Sequence, residues 1–312
     1  MYMSAFQYNK KHLPFGHSAA ILDDNVLDHI NKMKFNLKDI MYDENITNEF
    51  LDCYLRWIKS TELNSIKGLE NFKYKCYSNG TTEAFDKFYL KHKNRRFRCF
   101  RGEYLYHRLS WRNNHPNWLF ADDACLEEND AVVISLPFAN TGSKHKLHEA
   151  MLDICDEMNI PVMVDCCYLG ISSGIDFNFN HDSIQEVVFS LSKTFPIAHT
   201  RIGMRLTRED DDDTLFVLNK NNYVNRLGPY IGKSLIENFG PDYIPTKYKK
   251  AQQIICKHFE IDCSDTVLFG ISPKDKFIEY SRDEGSPDSE VNRLSFHKFL
   301  NRPFEELLNA KG

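Results

Sequence analysis

Residues 186–203 read EVVFSLSKTFPIAHTRIG. The apolar run at 186–192 is typical of a strand that is buried on both faces of a parallel sheet. Lys193 follows this run directly, and Arg201 comes eight positions later. A buried lysine loses its proton readily and becomes an amine nucleophile suited to Schiff-base formation. The stretch therefore predicts a reactive amine at the end of a buried strand.

Strand-like and helical segments alternate around this stretch, from about residue 72 to residue 207. The strand-like segments are FKYKCYS (72–78), RFRCF (96–100), AVVISLPF (131–138), IPVMVDCC (160–167) and GMRLT (203–207), and the helical ones are TTEAFDKFYLKHK (81–93) and KLHEAMLDICDEMN (146–159). This alternation predicts an α/β domain with a mainly parallel sheet and helices packed on it. Ligands of such sheets bind beyond the carboxyl ends of the strands.

A glycine turn lies at the end of the first of these strands. SNGTTEA (78–84) passes through Gly80 into a helix that begins near Thr81 and Thr82. A glycine lets the backbone approach a ligand closely, and the amides at a helix N-terminus bind anions. An ordinary turn with threonine N-caps explains the same residues equally well.

Two further polar residues stand at strand ends. Asn140 follows a strand in PFANTG (137–142), and the sequence Asn-Thr-Gly is also typical of an ordinary turn. Asp165 ends a strand in VMVDCCY (162–168). An unpaired carboxylate is costly to bury. Asp165 is therefore expected either to face solvent or to have a cationic partner.

Composition narrows the class of protein. The net charge of −5 argues against a nucleic-acid or anionic-membrane partner, and the basic segment KHKNRRFR (91–98) is expected on the surface. No apolar run approaches the roughly 18 residues of a membrane span. Nine scattered cysteines without a CxxC pair favour reduced thiols in the cytoplasm over a disulfide framework or a metal site. The acidic run EDDDD (209–213) is expected to be a solvated turn rather than a metal site.

The order of the polar residues resembles a known family. A helix-start anion site, an asparagine, Asp-x-x-Tyr ending at Tyr168, Ser-x-Ser-Lys starting at Ser190, and an arginine eight residues after the lysine follow one another. This series resembles the fold type I pyridoxal-phosphate enzymes, and within them the class I and II aminotransferases of the aspartate-aminotransferase superfamily. The resemblance covers about residues 78–203.

The resemblance implies a role for each of these residues toward pyridoxal 5'-phosphate. Lys193 would form the Schiff base and then shuttle a proton at the substrate α carbon. Asp165 would pair with the pyridinium nitrogen, and Asn140 and Tyr168 would hydrogen-bond the phenolic oxygen. The phosphate would be held by Gly80, Thr81, Thr82, Ser190 and Arg201, and by Tyr42 of the neighbouring subunit.

Three weaker similarities concern the ring and the substrate. Tyr104 is expected to stack on the cofactor ring, with Tyr106 as the alternative. Arg293, in VNRLSF (291–296), is expected to bind the substrate α-carboxylate, and Asn140 is also expected at the substrate. The front of the chain, residues 15–17, is expected to approach the substrate pocket.

The resemblance implies an aminotransferase that moves an amino group from an amino acid to a keto acid. Other reactions use the same apparatus, so a C–S lyase, a cyclase or synthase, or a decarboxylase stays an alternative. A non-catalytic sensor with the same fold is the alternative of another class. A cytoplasmic homodimer is expected, because relatives complete their site with the partner subunit.

The resemblance also suggests how the chain is divided. Residues 1–45 would contribute to a small domain and the dimer interface. Residues 46–210 would form the large cofactor-binding α/β domain. Residues 211–312 would complete that domain and form a smaller α+β domain with strands near 266–273 and 292–296 and a helix near 248–261.

Overall fold

A computed structural model describes residues 15–16, 18–281 and 291–301 of the 312-residue chain. The strands are β1 Ser65–Lys67, β2 Tyr74–Ser78, β3 Arg96–Cys99, β4 Trp118–Phe120, β5 Asp130–Ser135, β6 Val162–Asp165, β7 Asp176–Asn178, β8 Ile184–Ser190, β9 Gly203–Thr207, β10 Asp262–Cys263, β11 Phe269–Pro273 and β12 Val291–Ser295. The α-helices are α1 Asp24–Lys32, α2 Leu37–Tyr42, α3 Ile46–Lys59, α4 Thr81–Lys91, α5 Leu105–Asn114, α6 His148–Met158, α7 Thr214–Lys220, α8 Leu227–Asn238 and α9 Tyr243–Phe259. Within these ranges, no helix has the length and apolar character needed to cross a bilayer.

The central sheet has the strand order β2-β9-β8-β6-β5-β3-β4. The pairings β3–β4, β3–β5, β5–β6 and β6–β8 are parallel, which confirms the expected α/β class. Strand β9 differs, because it runs antiparallel to both β8 and β2. A parallel return needs a crossover, usually through an α-helix. The segment between β8 and β9 contains only a short 3₁₀ turn, so the chain folds straight back.

The register of the sheet brings several strand ends to one edge. Ser135 of β5 pairs with Asp165 of β6, and Asp165 pairs with Val188 of β8. Gly203, the first residue of β9, pairs with the last residues of both β8 and β2. The segments that follow β2, β5, β6 and β8, and the segment that precedes β9, therefore meet at this edge.

Helices cover both faces of the sheet, because its central strands are apolar on both sides. Every residue of β5 is buried. Val132 and Ile134 pack in one cluster with side chains of α3, α6 and α8. Ala131 and Val133 point to the other face, where they join a second cluster with side chains of α4 and α5. Burial on both faces explains the unbroken apolar run in the sequence.

A smaller antiparallel sheet, β10-β11-β12, follows in the C-terminal part of the chain. Its core contains Phe269, Leu294 and Phe296, together with Tyr248 and Ile255 of α9. Phe15, from the front of the chain, packs edge-on against the Phe296 ring. The predicted strands and helix of the tail are thus present, whereas the division of the chain at residues 45 and 210 stays a prediction.

The expected surface position of the basic segment is wrong for one arginine. The segment does lie between α4 and β3, but Arg98 is fully buried. Its guanidinium Nη1 donates to Asp130 Oδ2 at 2.6 Å, and Arg96 Nε donates to Asp130 Oδ1 at 2.6 Å. Asp130, which is itself buried at the start of β5, supplies the charge that lets Arg98 enter the interior.

The acidic run at 209–213 is not simply a solvated turn. Fully buried Arg205 on β9 donates to both oxygens of Glu186 on β8 at 2.7 Å and to Asp211 at 3.0 Å. It also bonds Asp213, which caps helix α7. Two carboxylates of the run thus close a buried cluster that joins β8 to β9.

Replacing Arg205 tests how strongly this cluster joins the two strands. We expect Arg205→Met to lower the free energy of unfolding by about 3–5 kcal/mol in urea titrations, because Glu186 would stay buried without a cation. The double variant Arg205→Met, Glu186→Leu should recover much of the loss. Lys220→Met, which removes a half-exposed pair with Asp210, should change stability far less. Equal losses for Arg205→Met and Lys220→Met would contradict the assignment.

Candidate active site

A cavity of about 460 Å³ opens where the strand ends meet. Residues from the large sheet, the small sheet and the front of the chain line it. The lining includes these residues singled out in the sequence: Thr81, Thr82, Tyr104, Asp165, Tyr168, Ser190, Lys193, Arg201 and Arg293. The structure thus brings together residues that are up to 212 positions apart in the chain.

Lys193 reaches the cavity from the segment just after β8. Its Nζ donates to the backbone carbonyl of Ser18 at 2.7 Å. In the described part of the chain no carboxylate forms an ion pair with Lys193 within 4.0 Å. The amine is therefore half-buried, oriented by a neutral acceptor, and directed toward the cavity.

Asp165 lies at the end of β6, with 5% of its surface exposed. Its Oδ1 accepts a hydrogen bond from the Cys167 backbone N–H at 3.1 Å. Burial, together with the negative charge of nearby Glu103, raises the pKa of the Asp165 carboxyl to about 7. A cationic ligand group beside Asp165 would therefore be strongly favoured.

Glu103 is a site residue that the sequence reasoning missed. It lines the cavity, is almost fully buried, and accepts hydrogen bonds from the Ser135 backbone N–H at 2.7 Å and hydroxyl at 2.5 Å. Ser135 pairs with Asp165 across β5 and β6, so Glu103, bonded to the end of β5, lies close to Asp165 at the end of β6. The only signal in the sequence is its position beside Tyr104.

Arg201 and the start of α4 form an anion-binding corner. The Arg201 Nη2 donates to Thr82 Oγ1 at 3.0 Å. Gly80 precedes the helix with φ of +75°, and a Cβ there would stand 2.2 Å from Arg201 Nη2. Only glycine leaves room for the guanidinium beside the helix N-terminus in this conformation.

Ser190 adds a hydroxyl to the same wall of the cavity. Its Oγ lies 2.9 Å from Ser192 Oγ and accepts from the Ser192 backbone N–H at 3.2 Å. Ser192, the second serine of the Ser-x-Ser-Lys motif, also lines the cavity, although the resemblance gave it no role. Ser190 ends β8 and Ser192 lies in the turn that follows, just before Lys193.

The two candidate tyrosines separate clearly. Tyr104 lines the cavity, at the N-cap of α5. Tyr106 does not line the cavity. Its hydroxyl lies 2.9 Å from Asp86 Oδ1 and 2.8 Å from Asp86 Oδ2, and it donates to this carboxylate. The geometry therefore favours Tyr104 over Tyr106 for a contact with a bound ring.

Arg293 enters the cavity from the small sheet. Its Nη1 donates to the Ala139 carbonyl and to the Tyr168 hydroxyl, the latter at 3.3 Å. Its guanidinium carbon lies 4.2 Å from the centre of the Phe269 ring. The Nε is buried and has no hydrogen-bond partner in the described ranges, so it remains available to a ligand.

Three residues expected at the site do not line the cavity. Gly80 and Asn140 lie next to the lining residues Thr81 and Ala139. The Asn140 Oδ1 is buried and, within the described chain, has no hydrogen-bond partner. Tyr42 is 78% exposed on α2, away from the cavity, so its expected role toward a neighbouring subunit stays a prediction.

Other lining residues lie outside the motif region or had no assigned role. Gly16 and Ser18 line the cavity from the front of the chain, where an approach was expected, while His17 lies outside the described residues. Cys167, Arg108 and Tyr280 also line it. Their positions depend on how loops and the small sheet fold back over the strand ends, which no local motif encodes.

Comparison with known families agrees with this geometry. The family model "Aminotransferase class I and II" matches residues 90–257, more than half of the chain. The chain belongs to this family. A search of curated proteins finds no match. The fold is that of the pyridoxal-phosphate enzymes of fold type I.

Proteins whose solved structures have this fold are named for different reactions. A PLP-bound C-S lyase from Staphylococcus hominis aligns with a TM-score of 0.64 at 12% identity, covering 95% of this chain and 90% of that one. A tyrosine aminotransferase from Leishmania infantum aligns with a TM-score of 0.62 at 12% identity, covering 99% and 98%. L-threonine-O-3-phosphate decarboxylase from Porphyromonas gingivalis aligns with a TM-score of 0.61 at 14% identity, covering 95% and 96%.

Pyridoxal 5'-phosphate is the cofactor that this family uses, and the cavity of this chain fits it. The Arg201 corner offers a site for a phosphate, and Lys193 offers an amine for an aldehyde. Asp165 is a buried carboxyl without a bonded cation in the described chain, which suits a ring nitrogen that carries a proton. The orphaned Asn140 Oδ1 is a further polar atom that a bound molecule could satisfy.

The buried Asp165 predicts a pH dependence of stability in the cofactor-free protein. Its pKa is raised from 3.8 to about 7, so the unfolded chain ionises this group first as the pH rises. The contribution of neutral Asp165 to the free energy of unfolding is therefore complete below about pH 4. It is lost as the pH rises toward 7. We expect Asp165→Asn to remove this component, so that at pH 8 the variant unfolds at a higher urea concentration than the wild type. The same difference at pH 4 and pH 8 would refute the burial argument.

The Gly80 corner predicts a specific loss of cofactor affinity. We expect Gly80→Ala to displace Arg201 and weaken pyridoxal-phosphate binding by about tenfold or more, measured by absorbance titration. Gly174→Ala is the matched control, because Gly174 also has a positive φ, of +80°, but nothing within 4 Å of its Cβ position. That control should lose stability through backbone strain and keep its affinity. Equal affinity losses would rule out the corner as a phosphate site.

Proposed function

We propose that the chain is a pyridoxal-phosphate-dependent aminotransferase that uses Lys193 to move the amino group of an amino acid to a keto acid. One observation carries this proposal: Lys193 and Asp165 line a single cavity that has Arg201 on one wall and Arg293 on another. These are the amine, the ring partner, the phosphate ligand and the carboxylate ligand that such a reaction requires.

Bound pyridoxal phosphate supplies an aldehyde that reacts with amines and a ring that stabilises negative charge at the α carbon of an attached amino acid. Asp165 would hold a proton on the ring nitrogen. Asn140 and Tyr168 would hydrogen-bond the phenolic oxygen, and Tyr104 would pack against the ring. The phosphate ligands would be the Thr81 and Thr82 amides, the Ser190 hydroxyl and Arg201.

Lys193 has the position of the proton carrier. Its amine would hold the cofactor before the substrate enters, and it would then remove the proton from the substrate α carbon and return it during turnover. The Ser18 carbonyl supports this role, because a neutral acceptor orients the amine without holding it in an ion pair. Ser18 itself belongs to the front of the chain.

Arg293 would bind the α-carboxylate of the substrate through its guanidinium fork. Held in this way, the carboxylate stays on the substrate and the α proton becomes the group that leaves. This supports transamination over decarboxylation. C–S bond cleavage and decarboxylation, the reactions for which two structurally similar proteins are named, are the alternatives to transamination.

The active form that we propose is a cytoplasmic homodimer. Tyr42 is a large, exposed aromatic residue on α2, which suits a contact with the phosphate site of a second subunit. Scattered cysteines without a CxxC pair suit a reducing compartment. A monomer with full activity in solution would overturn both the dimer and the role of Tyr42.

Lys193→Ala tests the proposed reaction. We expect the wild type to absorb near the wavelength of a lysine-bound cofactor, to be fixed at Lys193 by borohydride, and to convert amino acids into keto acids identified by mass spectrometry. Lys193→Ala should bind the cofactor and lose turnover by about 10⁴-fold or more, since it lacks the proton carrier. His199→Ala, in the same segment but with an exposed side chain, is the control and should keep most activity. Release of ammonia and a thiol together with the keto acid, with the cofactor unchanged, would favour a lyase, and release of carbon dioxide and an amine would favour a decarboxylase. No fixation at Lys193 would favour a non-catalytic protein.

A further inference from the structure

Arg108 is a buried cation of the cavity to which the proposed reaction gives no task. We propose that Arg108 binds a second acidic group, a carboxylate or a phosphate ester, on the side chain of the substrate. This inference rests on the proposed function, because it assigns a substrate class to the same cavity.

The side chain of Arg108 is enclosed but has no bonded anion. It lines the cavity with only 9% of its surface exposed. Its Nε is buried without a hydrogen-bond partner, and within the described chain its guanidinium forms no hydrogen bond and no ion pair. The Phe120 ring, 5.4 Å from the guanidinium carbon, is its aromatic neighbour. A buried guanidinium is costly without an anion, so an acidic group that enters the cavity would recover part of that cost.

Arg108 does not belong to the anion corner around Arg201. Arg201 precedes β9, whereas Arg108 lies on α5, which follows β3. Strands β8, β6 and β5 stand between β9 and β3 in the sheet. The two arginines therefore come from different elements, and Arg201 bonds Thr82 whereas the Arg108 guanidinium lies near Phe120 at the end of β4. With the phosphate of the cofactor held at Arg201, Arg108 is left for another anion.

Arg293, the proposed carboxylate ligand, contacts a segment next to the strand that leads to Arg108. Arg293 donates to the carbonyl of Ala139, which follows β5. Strand β5 pairs directly with β3. The chain after β3 passes Tyr104, the N-cap of α5, and reaches Arg108 one helical turn later. A single amino acid with two acidic groups could therefore contact Arg293 with one and Arg108 with the other.

The charge of the cavity favours an acidic substrate. Its charged lining residues are Lys193, Arg201, Arg293 and Arg108 against Asp165 and Glu103. Among the described residues no ion pair joins Arg108 to either carboxylate. Glu103 accepts from Ser135, and Asp165 accepts from the Cys167 backbone N–H. With Lys193 and Arg201 assigned to the cofactor, Arg293 and Arg108 are the lining cations left for the substrate, and they should favour an acidic side chain over a basic one.

The test compares acidic amino acids with their neutral counterparts. The substrates are L-aspartate, L-glutamate and O-phospho-L-serine against L-asparagine, L-glutamine and L-serine, and kcat/KM is measured for the amino-acid half-reaction by cofactor absorbance. We expect the wild type to prefer an acidic member, and Arg108→Gln to lower the acidic-over-neutral ratio about 10- to 100-fold. Arg108→Lys should retain part of the preference. Exposed Arg112→Gln, one turn later on α5, is the control and should keep the wild-type ratio. The two sets of acidic substrates show whether the group is a carboxylate or a phosphate ester.

A binding measurement keeps this inference separate from the proposed function. Maleate and inorganic phosphate are titrated into the holoenzyme by calorimetry, and we expect Arg108→Gln to weaken the better of them about tenfold or more. If no amino acid reacts, the proposed function fails, while this loss of affinity still supports Arg108. The inference is overturned if the wild type prefers neutral amino acids, if Arg108→Gln affects both classes equally, or if Arg108→Gln mainly weakens pyridoxal-phosphate binding. Should Arg108→Gln not fold, Arg108→Lys decides: a smaller fall in the acidic-over-neutral ratio supports the inference, and an unchanged ratio overturns it.

Discussion

The hydrogen-bonded register of the central sheet is the constraint on which the site depends. It sets Ser135, Asp165 and the end of β8 side by side, and it places the start of β9 against the ends of both β8 and β2. A slip of one residue would turn every side chain of a strand to the other face of the sheet. Burial on both faces and the Glu186–Arg205 cluster resist such a slip, so the reacting groups inherit their positions from the packing of the sheet.

Electrostatics inside the cavity follow from this placement. Asp165 at the end of β6 and Glu103, bonded to Ser135 at the end of β5, are both held away from bulk solvent, so the pKa of Asp165 rises. A cofactor that brings a protonated ring nitrogen next to Asp165 relieves that unfavourable burial. Cations around the rim then face the negative groups of the cofactor and substrate. Binding energy and orientation thus come from the same charges, and little rearrangement is needed when the cofactor enters.

The motif region could be predicted from the sequence because its groups follow strand ends in chain order. Lys193, Asp165 and Arg201 each stand directly after or before an apolar run, so local pattern sufficed to place them at one edge. Burial of Arg98 and the antiparallel direction of β9 could not be predicted in the same way. The first depends on a partner 32 positions away, and the second on the absence of a crossover helix. Glu103, Ser18 and Arg108 reach the cavity only through tertiary folding.

Local motifs place the residues expected at the cofactor, whereas tertiary folding places the outer lining residues. The sequence therefore identified the cofactor more sharply than the reaction. Related folds at 12–14% identity belong to an aminotransferase, a C-S lyase and a decarboxylase, so the fold alone does not choose the reaction. The choice depends on which bond at the α carbon is aligned with the ring and on which groups hold the rest of the substrate. In this chain the groups proposed for that task are Arg293, from the small sheet, and Arg108, from the helix after β3. Substrate choice could then change through these outer residues while Lys193 and Asp165 would keep the cofactor in place.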